Sequence, residues 1–211
     1  MKKMLVIVGL LSSFLFADFI GFGIGGGVHF NSLDGTASHK SDSVSFNSED
    51  NADNYFWAYA EHPVPLLPNV KLRYQKTSES DFELTQLDST LYYEILSNIV
   101  SLDVGLNFKL ADLTIGSGDG ALILPMAYIG AKFSPPFIDA QIVADLSVLS
   151  YSDTEVRDLS IALHYDLSGF LGFDLGLEVG YKSQTVEVDD ISNIEADLEL
   201  SGMFTSVYFN F

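Results

Sequence analysis

The sequence predicts an all-β chain closed into an antiparallel up-and-down transmembrane β-barrel of ten strands, with eight as the alternative count. Three observations carry this. The dominant hydrophobic period is two rather than 3.6. No stretch beyond residue 17 is long and apolar enough for a membrane helix, so any crossing must use strands. The last segment puts Met203, Thr205, Val207, Phe209 and Phe211 on one largely apolar face. Such an edge aggregates unless a neighbouring strand and lipid cover it.

The elements follow in chain order. Lys2 and Lys3, the uncharged run Met4 to Phe16 and the small Ala17 before Asp18 predict a secretory signal peptide over residues 1–17. Residues 18–211 then form one barrel domain. Its first strand sets Ile20, Phe22, Ile24, Val28 and Phe30 against Gly21, Gly23, Gly25, Gly27 and His29. The second covers Tyr55 to His62. The third, Val70 to Thr77, alternates Val70, Leu72 and Tyr74 with Lys71, Arg73 and Gln75. The fourth, about Gln86 to Leu96, opposes Leu87, Leu91, Tyr93 and Ile95 to Asp88, Thr90 and Glu94. The fifth opposes Leu102, Val104, Leu106, Phe108 and Leu110 to Ser101, Asp103, Gly105, Asn107 and Lys109.

The sixth, Ala121 to Ser134, is apolar on both faces, and Pro125 within it predicts a bulge. The seventh sets Ile138 to Val148 against Asp139, Gln141 and Asp145. The eighth sets Leu159 to Leu167 against Asp158, Ser160, His164 and Asp166. The ninth sets Phe173 to Tyr181 against Asp174, Gly176, Glu178, Gly180 and Lys182. The tenth, Glu195 to the end, changes phase near Gly202. That glycine marks either a bulge or the upper edge of the lipid-facing part.

The connectors after odd strands read as long and polar: residues 31–54, 78–85, 111–120, 151–155 and 187–194. Those after even strands read as tighter, over 63–69, 97–99, 135–136 and 168–172. This predicts long outer loops, short periplasmic turns and both termini in the periplasm. The turn 63–69 is apolar enough to lie against the barrel mouth or the lipid interface. A soluble lipocalin-like barrel or β-sandwich would invert the two faces. The polar faces rich in Gly, Ser, Asn and charge, together with aromatics near strand ends (Tyr55, Trp57, Tyr59, Tyr74, Tyr165, Tyr181 and Phe209), favour the membrane form with an aromatic girdle.

Composition excludes several functions. The mature segment keeps eight of the ten basic residues and all 29 acidic ones, a net charge near −21. That disfavours nucleic acid as a partner. The absence of cysteine excludes a disulfide framework and thiolate chemistry.

The signal segment, the ten alternating segments and the ending Val207-Tyr208-Phe209-Asn210-Phe211 resemble a Gram-negative outer-membrane β-barrel. Glu61-His62-Pro63-Val64-Pro65-Leu66-Leu67-Pro68-Asn69-Val70, Leu124-Pro125-Met126 and Asp103-Val104-Gly105-Leu106 are similar to a family of small, largely uncharacterised proteobacterial barrel proteins. The resemblance implies outer-membrane lipid and lipopolysaccharide as surroundings. It also implies periplasmic chaperones and the barrel-assembly machinery as partners, with Phe209 and Phe211 as the assembly signal. It brings no catalytic residues.

The candidate sites follow from the faces. Lys71, Arg73, Asp103, Lys109, Asp145, His164, Asp174 and Glu178 share the predicted lumen face, as a charge-paired plug or as a narrow cation path. His29 and His164 among Asp and Ser would also suit a lumen-edge enzyme acting on lipid or peptide, although no spacing marks a triad. The Gly21–Gly27 run lacks the strand-then-helix context of a nucleotide loop. Glu49-Asp50-Asn51-Ala52-Asp53-Asn54 and Asp189-Asp190 lack the full Ca²⁺-loop pattern. They suit solvated loops that share divalent cations with lipopolysaccharide. The expectation is a monomeric barrel with a structural or surface-interaction role, without catalysis, cofactor or metal.

Overall fold

The computed structural model describes residues 21–211 apart from residues 41, 65, 80, 81, 117, 153, 171, 172, 192 and 193. The signal segment 1–17 and Ile20 lie outside the described residues. Ten strands run β1 Gly21–His39, β2 Asp42–Glu61, β3 Asn69–Glu79, β4 Phe82–Leu96, β5 Val100–Ile115, β6 Gly118–Phe133, β7 Ala140–Tyr151, β8 Thr154–Phe170, β9 Phe173–Ile191 and β10 Ile194–Asn210. Each pairs antiparallel with its sequence neighbours, and β1 pairs with β10, which closes the barrel. This is the up-and-down architecture of outer-membrane barrels.

The strands reach well beyond their predicted ends, and β10 shows why. Its inward side carries Ile194, Ala196, Leu198, Leu200, Phe204, Ser206 and Tyr208. Its outward side carries Glu195, Asp197 and Glu199, then Met203, Val207 and Phe209. The register against β1 runs unbroken from Asn210 to Ile194, so Gly202 is not a bulge. It marks the level where the apolar face passes from the outside of the barrel to the inside. The glycine serves close strand approach, because a Cβ there would fall 1.9 Å from the carbonyl oxygen of Phe30.

β5 repeats the inversion. Outside, Leu102 to Leu110 give way to Asp112 and Thr114; inside, Asn107 and Lys109 give way to Ala111, Leu113 and Ile115. Segments predicted as polar connectors are therefore mostly strand, with their few apolar residues aimed inward. The expected difference in loop length is absent. Consecutive strands at the end away from Gly21 and Asn210 (the distal end) are two residues apart. The longer spacers, residues 62–68 and 134–139, lie at the terminal end.

Two interfaces part on the way up. β2 and β3 pair only from Ala60↔Val70 to Tyr55↔Gln75, and β6 and β7 only from Phe133↔Ile142 to Ala127↔Val148. Above those levels β3–β6 form one sheet and β7–β10 with β1 and β2 form another. An apolar core fills the space between them, with Leu33, Val156, Leu198 and Leu200 from one side and Phe82, Leu113, Ile115 and Leu124 from the other. Phe46 and Phe82 meet in a tilted ring contact across the β2 edge, with centroids 4.4 Å apart. Pro125 sits in unbroken β5–β6 register, opposite Phe108, so the predicted bulge is absent. It occupies the edge where β6 has already left β7, and there no ladder donor is missed.

In the terminal half the outer surface is an apolar belt to which every strand contributes. Phe22, Phe56, Leu72, Leu91, Leu106, Ile129, Ile142, Leu163, Val179 and Val207 are all exposed. Tyr74, Tyr165 and Tyr181 lie on this belt as the girdle reading expected. Tyr55, Trp57 and Tyr59 do not, because they share the inward phase of β2. The apolar turn after β2 folds outward. Tyr93, on the outer face of β4, donates to the Leu66 carbonyl at 2.9 Å, and Leu66 is 91% exposed. His62 accepts from the Val64 amide at 3.2 Å within the same turn. At the seam of the barrel, Phe211 donates to the Phe22 carbonyl at 2.8 Å and their rings lie 5.8 Å apart.

Candidate functional site: the lumen of the terminal half

Strand alternation aims one residue in two into the lumen, so a narrow barrel brings side chains from opposite walls together. Here they form layers. The deepest lies under the apolar core. Lys109 of β5 reaches Asp88 at 2.8 Å and Asp158 of β8 at 3.0 Å, and Lys182 of β9 reaches the same Asp158 oxygen at 3.0 Å. Both lysines are about 1% exposed. Asn107 donates to Asp88 at 3.1 Å. Charges this buried persist only when paired and hydrogen-bonded, as these are.

A second layer lies toward the terminal end. Lys71 of β3 crosses to Asp145 of β7 at 2.5 Å, and Tyr128 donates to the other Asp145 oxygen at 2.5 Å. Glu178 of β9 accepts from Trp57 at 3.1 Å, from Tyr55 at 3.2 Å and from Ser206. His164 Nε2 lies 3.3 Å from its other oxygen. The Trp57 ring stacks on Tyr59 and His164, with centroids 5.9 and 6.5 Å away.

Arg73 stands between these layers. Its Cζ lies 4.6 Å from the Tyr55 ring centroid and 5.2 Å from that of Phe204. Its Nε and Nη2 are buried without a protein hydrogen-bond partner. Toward the terminal end the layers open into a cavity of about 100 Å³, lined by Trp57, Tyr92, Tyr128, Arg73, His164 and Asp103 among others. Lining residues near its mouth, such as Glu61, Lys132, Gln141 and Asn210, are half-buried.

The structure thus brings seven of the eight sequence candidates to the lumen. Lys71 with Asp145 and His164 with Glu178 form two of the pairs. Lys109 lies deeper, and Arg73 and Asp103 line the cavity. Asp174 is exposed at the terminal rim, outside the cluster. The aromatic wall of Tyr55, Trp57, Tyr59, Tyr92, Tyr128 and Tyr208 was not foreseen as a lumen feature. The alternation that aimed Lys71 and Arg73 inward contained the signal for it.

The histidines sit in structural settings. His29 is fully buried and its Nδ1 faces Gln75 at 3.0 Å, beside Asp53, which accepts from Asn31 at 2.9 Å and from Thr77 at 2.5 Å. Among the described residues neither His29 nor His164 has a serine hydroxyl at hydrogen-bond distance, the arrangement a nucleophilic triad needs. Among the described residues no group of three or more His, Cys, Asp or Glu converges as a metal would require. The side chains of Glu49, Asp50 and Asp190, named in the acidic clusters, lie outside the description.

No family model matches the chain, and no curated protein matches its sequence. Among solved structures it is similar to the outer membrane protease OmpT from Escherichia coli. That match has 8% identity and a TM-score of 0.48, and it covers 93% of this chain and 97% of that one. At this distance the likeness adds nothing to the architecture described above and carries no residue roles.

Proposed function

We propose that the chain is an integral outer-membrane β-barrel that holds a two-sheet β-sandwich outside the lipid, as a structural or surface-interaction element. The observation that supports this most is the inversion of polarity near Gly202 and Ala111. Below it the outside is apolar and the inside charged; above it the outside is acidic and the inside apolar. Only a barrel whose lower half meets lipid and whose upper half meets water gains from both halves. The lower belt spans Met203 to Phe211, about 27 Å of strand. Tilted as barrel strands are, this gives roughly 20 Å of height, close to the band such barrels present to lipid. An exported chain with this seam, closed at Phe209 and Phe211, would reach the membrane through chaperones and the assembly machinery. Its acidic upper wall would face lipopolysaccharide and its divalent counterions.

The expected result is retention in the membrane fraction after a high-salt wash, with heat-modifiable mobility on gels. Release by salt would overturn the proposal. A conducting role is disfavoured by two successive obstructions, the ion-pair layer and the apolar core. A planar bilayer is therefore expected to give a flat trace across applied voltage, and discrete cation-selective steps would restore the channel reading.

A further inference from the structure

We infer that the β2–β3 and β6–β7 turns at the terminal end are interfacial anchors, seated among the headgroups and upper acyl chains of the phospholipid leaflet around that end of the barrel. The inference rests on the lipid belt proposed above and adds to it where the barrel stops in the bilayer. Three observations point to lipid rather than water.

The first is exposure without charge. The turn tips carry Leu66 at 91% and Phe137 at 95%, the most exposed large apolar side chains among the described residues. Both turns are held by backbone hydrogen bonds. The Leu67 amide donates to the Val64 carbonyl at 3.4 Å, and the Ile138 amide to the Pro135 carbonyl at 3.5 Å. The Ser134 amide donates to the Ile99 carbonyl at 2.8 Å, which ties the second turn to the β4–β5 turn beside it. Residues 63–68 and 135–138 carry no charge, whereas the distal connectors include Lys40, Asp81 and Asp153. The second observation is backbone strain. Leu66 has a φ of 71°, in the left-handed region where a solvated turn takes glycine or asparagine. In water a leucine there adds exposed apolar surface to a strained backbone. Among acyl chains its side chain is removed from water.

The third is the height of the belt. At roughly 20 Å it falls about 5 Å short of the ~25 Å apolar band of such barrels. A short apolar wall is accommodated by thinning the bilayer or by anchoring flanking residues at the interface. The two turns continue the belt at the end where it stops. Tyr93 on the outer face of β4 holds the Leu66 carbonyl at 2.9 Å, two residues from the exposed Ile95. Ile99, Val100 and Phe133 carry exposed apolar surface from the belt toward Phe137. Asp139 and Asp174, exposed at the same end, set the depth, because charges stay at headgroup level.

The experiment uses the full chain, which has no cysteine of its own, folded into vesicles of phosphatidylethanolamine and phosphatidylglycerol. Leu66→Cys and Phe137→Cys, each carrying one nitroxide label, are compared with Val207→Cys on the belt and Glu199→Cys on the distal wall. Power saturation reads how often each label meets oxygen, which enters acyl chains, and a water-soluble nickel chelate, which does not. The expected result is that oxygen predominates at positions 66 and 137, as at 207, and that the chelate predominates at 199. Heat-modifiable mobility certifies the fold of each variant, and if one turn variant does not fold, the other decides. Chelate access at 66 or 137 as free as at 199, with 207 in lipid, overturns this inference alone. The turns would then stand in water, for a protein to cover. Chelate access at 207 as well overturns the lipid belt, and this inference with it.

Discussion

Lys109 Nζ lies 3.0 Å from Asp158 Oδ2, although 49 residues and three strand crossings separate them. The contact spans the lumen rather than the sheet, and with Asp88 and Lys182 it ties β4, β5, β8 and β9 into one buried layer. Removing one member strands the others. Lys109→Ala should therefore destabilise the barrel by about 3–5 kcal/mol, the usual effect of leaving a buried charge uncompensated. The check is the urea midpoint of the heat-modifiable form in detergent. The double variant Lys109→Met with Asp88→Asn should recover part of that loss, because Asp158 keeps its ion pair with Lys182 and no carboxylate of the layer is left without a cation.

The distal core makes a different prediction. Phe82 is 3% exposed and packs at a tilt against Phe46 where β2 has left β3. Phe82→Ala should cost about 3–5 kcal/mol through lost burial and a residual cavity. The effect should appear as a lower unfolding temperature and raised protease sensitivity of the distal half. Membrane insertion should be unchanged, because the outer belt is untouched.

The outer surface should be read differently at its two levels. Leu163 is 44% exposed on the belt, whereas Glu187 is exposed on the distal half. Leu163→Lys should cost roughly 2–4 kcal/mol in lipid, as cationic residues near the middle of a bilayer-facing strand do. Glu187→Lys should stay within about 0.5 kcal/mol. Equilibrium unfolding in phospholipid vesicles compares the two directly.

At Gly202 a single methyl group is already too much. The Cβ of Gly202→Ala would fall on the Phe30 carbonyl and the Asn31 backbone, neither of which yields as a flexible side-chain end would. The strands would have to separate, at a cost of about 1–3 kcal/mol or more. Gly21→Ala, where the nearest contact is 3.4 Å from a glutamate side chain, should be tolerated. Gel mobility at graded temperature separates the two.

How much of this was legible follows from where the apolar residues point. On the belt, Leu102, Val104, Leu106, Phe108 and Leu110 recur every second position, and the strand, its faces and its inward charges could be read directly. Above the belt the same strand buries Ala111, Leu113 and Ile115 on the other phase. A local pattern that changes sign with depth looks like a loop, which is why residues 31–54 and 187–194 read as connectors in the sequence. Trp57 and Tyr59 read as girdle residues because aromatic content alone does not say which wall a side chain faces, although the phase of β2 does. The pairing of Lys71 with Asp145 and of Lys109 with Asp158 needed the barrel closed, since opposite walls have no fixed spacing in sequence. The two partings of the wall, at β2–β3 and β6–β7, left only Pro125 as a sequence trace.

The central claim, a barrel whose lower wall meets lipid and whose upper wall meets water, is tested most directly by cysteine labelling. The chain contains no cysteine of its own. Glu199→Cys and Val207→Cys place single thiols on the outward face of β10, eight residues apart and on opposite sides of Gly202. In whole cells, a membrane-impermeant maleimide should label position 199 and leave position 207 unlabelled until detergent and denaturant are added. Equal labelling of both positions in whole cells would contradict the account.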